Sequence, residues 1–309
     1  MNTTSGWRIL GAGLAVAVGL SWGCGKADPG AAGSAADALA SVAKTPEQEA
    51  QGAVEGAMAA LKAGRLDEVY GMLPESYKKD VSGVVSAYVG KIDPELFRMG
   101  VETLGAFGQA LAKQSENVVG LLGSGAVPFE LDGDTAAAVN EALTAENLQK
   151  VGNWLAGCGE WLNFGALSQG DLGGLLGNAQ VAEFVRLAWA EGEAKGPLSV
   201  RLAEDAPETD GAVRLEMGSE ENGFEAEELV KVEGRWVPKE MADEWSGMIQ
   251  EAMSAAAEFK LDDETVQRAR KMLPALKRAM VSWGDAETPE ELMGGVMGTV
   301  MTLGAMGAM

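Results

Sequence analysis

The chain has no histidine among its 309 residues. That absence removes Ser-His-Asp and Cys-His nucleophilic catalysis, HExxH zinc sites, imidazole-ligated haem and an imidazole proton shuttle. Any catalysis would rest on carboxylates, lysine, tyrosine or serine alone. Cysteine is almost as scarce. Cys24 and Cys158 are the only two, so there is no disulfide framework. Positive charge is also short: 24 Lys and Arg face 46 Asp and Glu, a formal net charge of −22. A nucleic-acid binder needs a basic footprint to displace counterions, so nucleic acid is set aside as a partner. No phosphate loop is present, because the glycine clusters at 120–125 and 173–177 lack a following Lys and a strand-to-helix context. No cofactor is implied, and no catalytic or metal-ligating residue is singled out.

What is present begins at the N-terminus. Met1 to Arg8 carries one charged side chain, a positive one, and Ile9 to Leu20 is an unbroken run of Gly, Ala, Val, Leu and Ile. Ser21, Trp22, Gly23 and Cys24 follow. A positive end, an apolar core of about 7–15 residues and a small residue before a cut form an export signal. The run is too short to span a bilayer, which takes about 20 residues. On these residues the leader resembles that of a bacterial lipoprotein precursor, whose lipobox ends in Cys. Gly23 fits that box; Ser21 and Trp22 depart from it, and Leu20 stands one place early. The resemblance covers residues 1–24 only. It implies a signal peptide over 1–23, lipidation at Cys24, the membrane as a partner through that lipid, and a cell-envelope location facing the periplasm. Gly25 where inner-membrane retention commonly uses Asp favours the outer membrane. One buried acyl chain anchors only marginally, at about 0.8 kcal/mol per methylene, but the family's Cys carries more than one. The alternative is a secreted soluble protein cut within Ala27–Ala40.

Residues 24–44 are mostly Gly, Ala, Ser and Asp and read as a flexible tether with an average reach of about 25 Å. A helical region is expected over 45–195, an antiparallel meander over 196–238 and C-terminal helices over 239–309, with 45–309 as one domain. Thr45-Pro46-Glu47-Gln48 predicts a capped helix start. Pro74, Asp93-Pro94, Thr144, Asn178, Asp262 or Asp263, and Thr288-Pro289 mark further starts. The expected inward stripe of the 94–113 helix is Phe97, Val101, Leu104 and Phe107. Val127–Leu131 reads as a short strand, and Pro274 should kink or break its helix. Val213, Leu215 and Met217 alternate with polar residues, and Asn222-Gly223 and Glu233-Gly234 read as hairpin turns. The fold class is therefore α+β, mostly helical with one small antiparallel meander at about 197–238. The helix at 45–75 followed by this meander, with Gly234-Arg235-Trp236 at its last turn, is similar to the cystatin or NTF2-like group. That likeness implies a pocket for small ligands between sheet and helix.

Individual residues carry weaker signals. Cys158, between Trp154 and Trp161 at helical spacing, reads as a small core residue. Asp132-Gly133-Asp134 opens like a calcium loop but lacks the later ligands. Glu204, Asp205, Glu208, Asp210, Glu220 and Glu221 read as solvated loop acids. Arg268, Arg270, Lys271, Lys277 and Arg278 form a basic cluster, either a solvated helix face or a surface for anionic lipid. Met293, Met297 and Met301 repeat every four residues with Gly294, Gly298 and Thr302 between them. The function expected is a binding or structural role at the cell envelope, with an envelope protein or a small apolar ligand as partner. Two alternatives stay open: a small-ligand carrier with a cystatin- or NTF2-like pocket, and a His-free carboxylate hydrolase. The ligand-binding residues are not identified.

Overall fold

The computed structural model describes residues 44–123, 144–193, 196–205, 207, 209–221 and 223–307. The leader, Cys24, most of the tether, the 127–131 strand, Asp132-Gly133-Asp134, Glu208 and Asn222 lie outside these residues. The described chain is α+β, mostly helical with one four-stranded antiparallel sheet whose strands lie side by side in chain order. It gathers into two compact units, each assembled from two separate stretches.

The sheet unit takes the described residues of 44–90 and of Gly165–Phe259. Helix α1 (Pro46–Lys62) starts where the sequence predicts. Thr45 Oγ1 accepts from Gln48 N, Gln48 Oε1 accepts from Thr45 N, and Pro46 needs no partner. Gly64, in the left-handed region at φ 73°, ends it. Gly64 N bonds Leu61 O and Arg65 N bonds Ala60 O, which satisfies the last carbonyls. Helices α2 (Leu66–Met72) and α3 (Glu75–Val89) follow, separated by Leu73-Pro74. Tyr77, Val81, Val84 and Val85 are buried on α3, as their spacing predicts, together with Val89.

The strands are β1 (Ser199–Leu202), β2 (Val213–Ser219), β3 (Gly223–Val232) and β4 (Arg235–Pro238). Along β2 the buried residues are Val213, Leu215, Met217 and Ser219, strictly alternate. They pack with Ala50 and Val54 of α1 and with Leu229 of β3, and Met58, Val200 and Trp236 close the edges. The β3–β4 turn is Glu233-Gly234, both at positive φ (51° and 77°), as a two-residue hairpin requires. Glu233 also reaches α3, where its carboxylate accepts from Ser76 N at 3.2 Å. Pro74, the cap residue of α3, offers no side-chain acceptor, so the sheet supplies the missing cap. Three further helices precede the strands, α8 (Phe164–Leu167), α9 (Gly173–Leu176) and α10 (Ala179–Glu193), and helix α11 (Lys239–Glu258) leaves β4 directly. Trp245 stacks on Tyr77 at 3.9 Å between ring centroids and donates Nε1–H to Asp80 Oδ2 at 3.0 Å.

The helical unit takes the described residues of Lys91–Phe164 and of 260–307. Its elements are α4 (Pro94–Lys113), α5 (Ser115–Gly123), α6 (Ala145–Ala156), α7 (Cys158–Trp161), α12 (Asp263–Gly284) and α13 (Pro289–Gly307). Asp93, Thr144 and Asp262 each accept from the backbone N–H three residues on. The predicted stripe of α4 is only partly right. Phe97 is buried, but Leu104 is 38% exposed. The buried face includes Thr103, Gly105, Ala106, Gly108 and Ala110 instead: Gly105 and Gly108 lie where α6 comes too close for larger side chains, and Thr103 and Ala110 meet α12. A methyl at Gly108 would overlap the Ala156 backbone nitrogen and sit 2.6 Å from Leu155 Cβ. One at Gly152 would overlap Ala112 N and sit 2.7 Å from Gly108 O. Gly108 with Ala112 and Gly152 with Ala156 are each four residues apart, so each helix offers a flat strip to the other.

Pro274 does not break its helix; α12 runs from Asp263 to Gly284 through it. An interior Pro costs about 3 kcal/mol locally. Packing of α12 on α4 outweighs that. Thr103 Oγ1 lies 3.3 Å from Leu273 O, Lys277 pairs with Glu102 and Arg270 with Asp93. At the far end, buried Gln114 donates Nε2–H to Gly284 O and Ala286 O.

The glycine strips make a paired prediction. Gly152→Ala should cost about 1–3 kcal/mol of stability through overpacking. Gly294→Ala, in α13 with open space around it, should leave stability unchanged or raise it by up to about 1 kcal/mol. Denaturant unfolding followed by circular dichroism compares the two.

Candidate functional site

In an antiparallel sheet, residues directly opposed share a face. The β2–β3 register pairs Val213 with Leu229, Leu215 with Glu227 and Met217 with Glu225. Glu225 and Glu227 therefore point to the side that carries the apolar core, beside Leu215 (0% exposed) and Leu229 (1% exposed). Both glutamates are half-buried. Glu228 points to the other face and accepts from Thr209 Oγ1 at 2.9 Å. Strand β4 pairs with β3 only from Leu229 onward. Beyond Pro238 the chain turns into α11, which packs against β3 and brings Glu240 to the same place.

Burial first, then the charges of Glu240, Glu225 and Glu228, push the Glu227 carboxyl up to about 7. Glu225 Oε2 is shut off from solvent with no hydrogen-bond partner. A carboxyl that titrates near neutrality can give or take a proton at working pH. Two carboxyls two residues apart on one strand stand roughly 7 Å apart at about 3.3 Å rise per residue. Among the described residues no group of three or more Asp, Glu, Cys or His is arranged to hold a metal ion.

The residues singled out in the sequence lie elsewhere. Cys158 is fully buried in the helical unit and donates its thiol to Val101 O at 3.6 Å; burial pushes the thiol up. The Trp154 and Trp161 rings lie 5.3 Å apart. The spacing reading of a core cysteine holds. Glu204, Asp205, Asp210, Glu220 and Glu221 are exposed. Within the basic cluster, Arg268 pairs with Glu264, Arg270 with Asp93 and Lys277 with Glu102, so much of its charge is matched within the unit. Met297 and Met301 are exposed, Met301 at 73%, while Met293 is half-buried.

Glu225, Glu227 and Glu240 carry no motif. In β3 the acids fall on the buried phase, and alternation alone would place them in solvent. A two-residue Asn222-Gly223 turn would place Glu225 and Glu227 on the solvent face; the sheet instead pairs Ser219 with Gly223, and that register turns them inward.

No family model matches the chain, and no curated protein or solved structure matches it. Among the described residues no helix is long and apolar enough to cross a membrane.

Replacing Glu227 with Gln should stabilise the protein at pH 8 and leave it unchanged near pH 4. The folded carboxyl titrates near 7 and the unfolded one near its ordinary 4.5, so the unfolded state ionises first. Stability is then full below the unfolded value and falls as pH rises towards 7. The expected gain of the variant is about 1–2 kcal/mol at pH 8, read from unfolding midpoints at both pH values.

Proposed function

We propose that this is an exported cell-envelope protein, lipid-anchored through Cys24 and facing the periplasm, whose folded part binds or braces rather than catalyses. The observation that carries the reading is the leader itself: one positive charge, a twelve-residue apolar run over Ile9–Leu20, then Gly23-Cys24. The residues after it are too small and polar to build a core, and α1 opens at a well-formed cap at Thr45. The space between α1 and the sheet is occupied by Ala50, Val54, Met58, Leu215, Met217 and Leu229. Aliphatic side chains meeting from helix and sheet favour a protein or wall partner over a small apolar ligand held between them.

One observation favours a second reading. Glu225 and Glu227 stand on one face of β3, one of them titrating near neutrality. That is the raw material of a His-free carboxylate hydrolase. The first reading is preferred because the same face is packed with aliphatic side chains.

The intact mass and N-terminal peptide of protein from the native membrane fraction test the anchor. The expected result is a mature chain beginning at acylated Cys24, with Cys24→Ala lost from that fraction. A soluble, unlipidated chain beginning within 27–45 would overturn it and make a diffusible secreted protein the better reading.

A further inference from the structure

We propose that the seam between β3 and the first turn of α11 is a pH-sensitive latch, shut while Glu227 is protonated and loosened once it is ionised. The seam joins a carboxyl on the core face of the sheet to the start of a helix. Glu227 lies opposite Leu215 and two residues from Leu229, so its side chain is held among aliphatic neighbours. A neutral carboxyl is tolerated there; a carboxylate needs a cation or water. No cation faces it. From its own strand the charges acting on it are Glu225 and Glu228, and from α11 Glu240, all negative. From β2 the opposed residue is Leu215, and Arg214 and Glu216 lie on the other face. Helix α1 meets this side of the sheet with Ala50, Val54 and Met58. Lys239, beside Glu240 in the sequence, pairs with Asp243 within the helix. Glu225 Oε2, closed off from water without a partner, marks the same spot as already short of donors.

The rest of α11 has its own hold. Trp245 stacks on Tyr77 and bonds Asp80, about one and a half turns beyond Glu240. Ionisation of Glu227 therefore repels Glu240 and opens the helix from its start up to Trp245, while the stack keeps the remainder seated. The burial-raised carboxyl puts the midpoint near neutrality.

Amide hydrogen exchange of the full chain, corrected for intrinsic pH dependence, tests this. Between pH 5 and pH 8 the opening constant of peptides covering 239–245 should rise more than tenfold and level off above about 7. Peptides from α4, in the other unit, should not follow. Glu227→Gln should make the 239–245 peptides independent of pH. Glu240→Gln should keep the dependence but reduce it. An opening constant that is flat with pH in the unaltered protein, or that changes equally in Glu227→Gln, would overturn the latch.

Discussion

Helices in this protein come together where side chains are missing. At the α4–α6 crossing, Gly108 and Gly152 let each backbone lie against the other helix. Other helical glycines, such as Gly52, Gly83 and Gly294, have open space around them, so close packing accounts for only some of the 42 in the chain. Gly64 meets the Ala182 carbonyl and Gly170 the Ser82 carbonyl in the sheet unit, by the same device. At Gly108 and Gly152 the contact trades helix propensity, about 1 kcal/mol per glycine, for a close approach that a longer side chain would prevent, whereas Gly64 and Gly170 lie outside the helices at positive φ. The energy of these seams lies in many short dispersion contacts, so it is lost abruptly when one methyl intrudes.

The surplus of acid is sorted by surroundings. Most ion pairs are exposed, many at three- or four-residue helical spacing, and contribute little each. Asp93, Asp262 and Glu233 cap helices; the backbone N–H groups hold Asp93 and Asp262 below the usual carboxylate range, and at Glu233 the Ser76 side-chain bond does so first, with the Ser76 backbone N–H adding to it. Glu227 is the opposite case, raised because it gains burial and like charges and no donor. One residue type thus serves as cap, solvated charge or latent proton carrier according to what lies within a few ångströms.

Much of the fold was legible in local signals. The caps at Thr45, Asp93, Thr144 and Asp262 could be read because a short polar side chain and its N–H partner lie within three residues. The β2 alternation and the Glu233-Gly234 turn were legible for the same reason. What failed was decided by tertiary contact. The apolar period of α4 pointed to Leu104, yet α6 claimed the small-residue side of the helix. Pro274 was expected to kink or break its helix; the break does not occur, and contacts of α12 with α4 hold the helix through it. The acids of β3 were hidden by a register set by the preceding hairpin, and the cap that Glu233 lends to Ser76 spans residues remote in sequence. The exposed loop acids and the buried Cys158 were read correctly, since composition and spacing alone place them.

Both units are threaded from separated stretches of chain, and each closes on its later stretch. The sheet unit lacks the Glu233 cap until synthesis has passed residue 233 and the Trp245 stack until it has passed 245, and the helical unit lacks α12 until it has passed 284. A growing chain that has completed only α1 to α7 therefore holds two half-built cores at once. Their apolar faces stay uncovered for most of the time of synthesis, and high sequence separation slows their closure. Such a chain gains most from a holding chaperone during its final third, and least from one that leaves early.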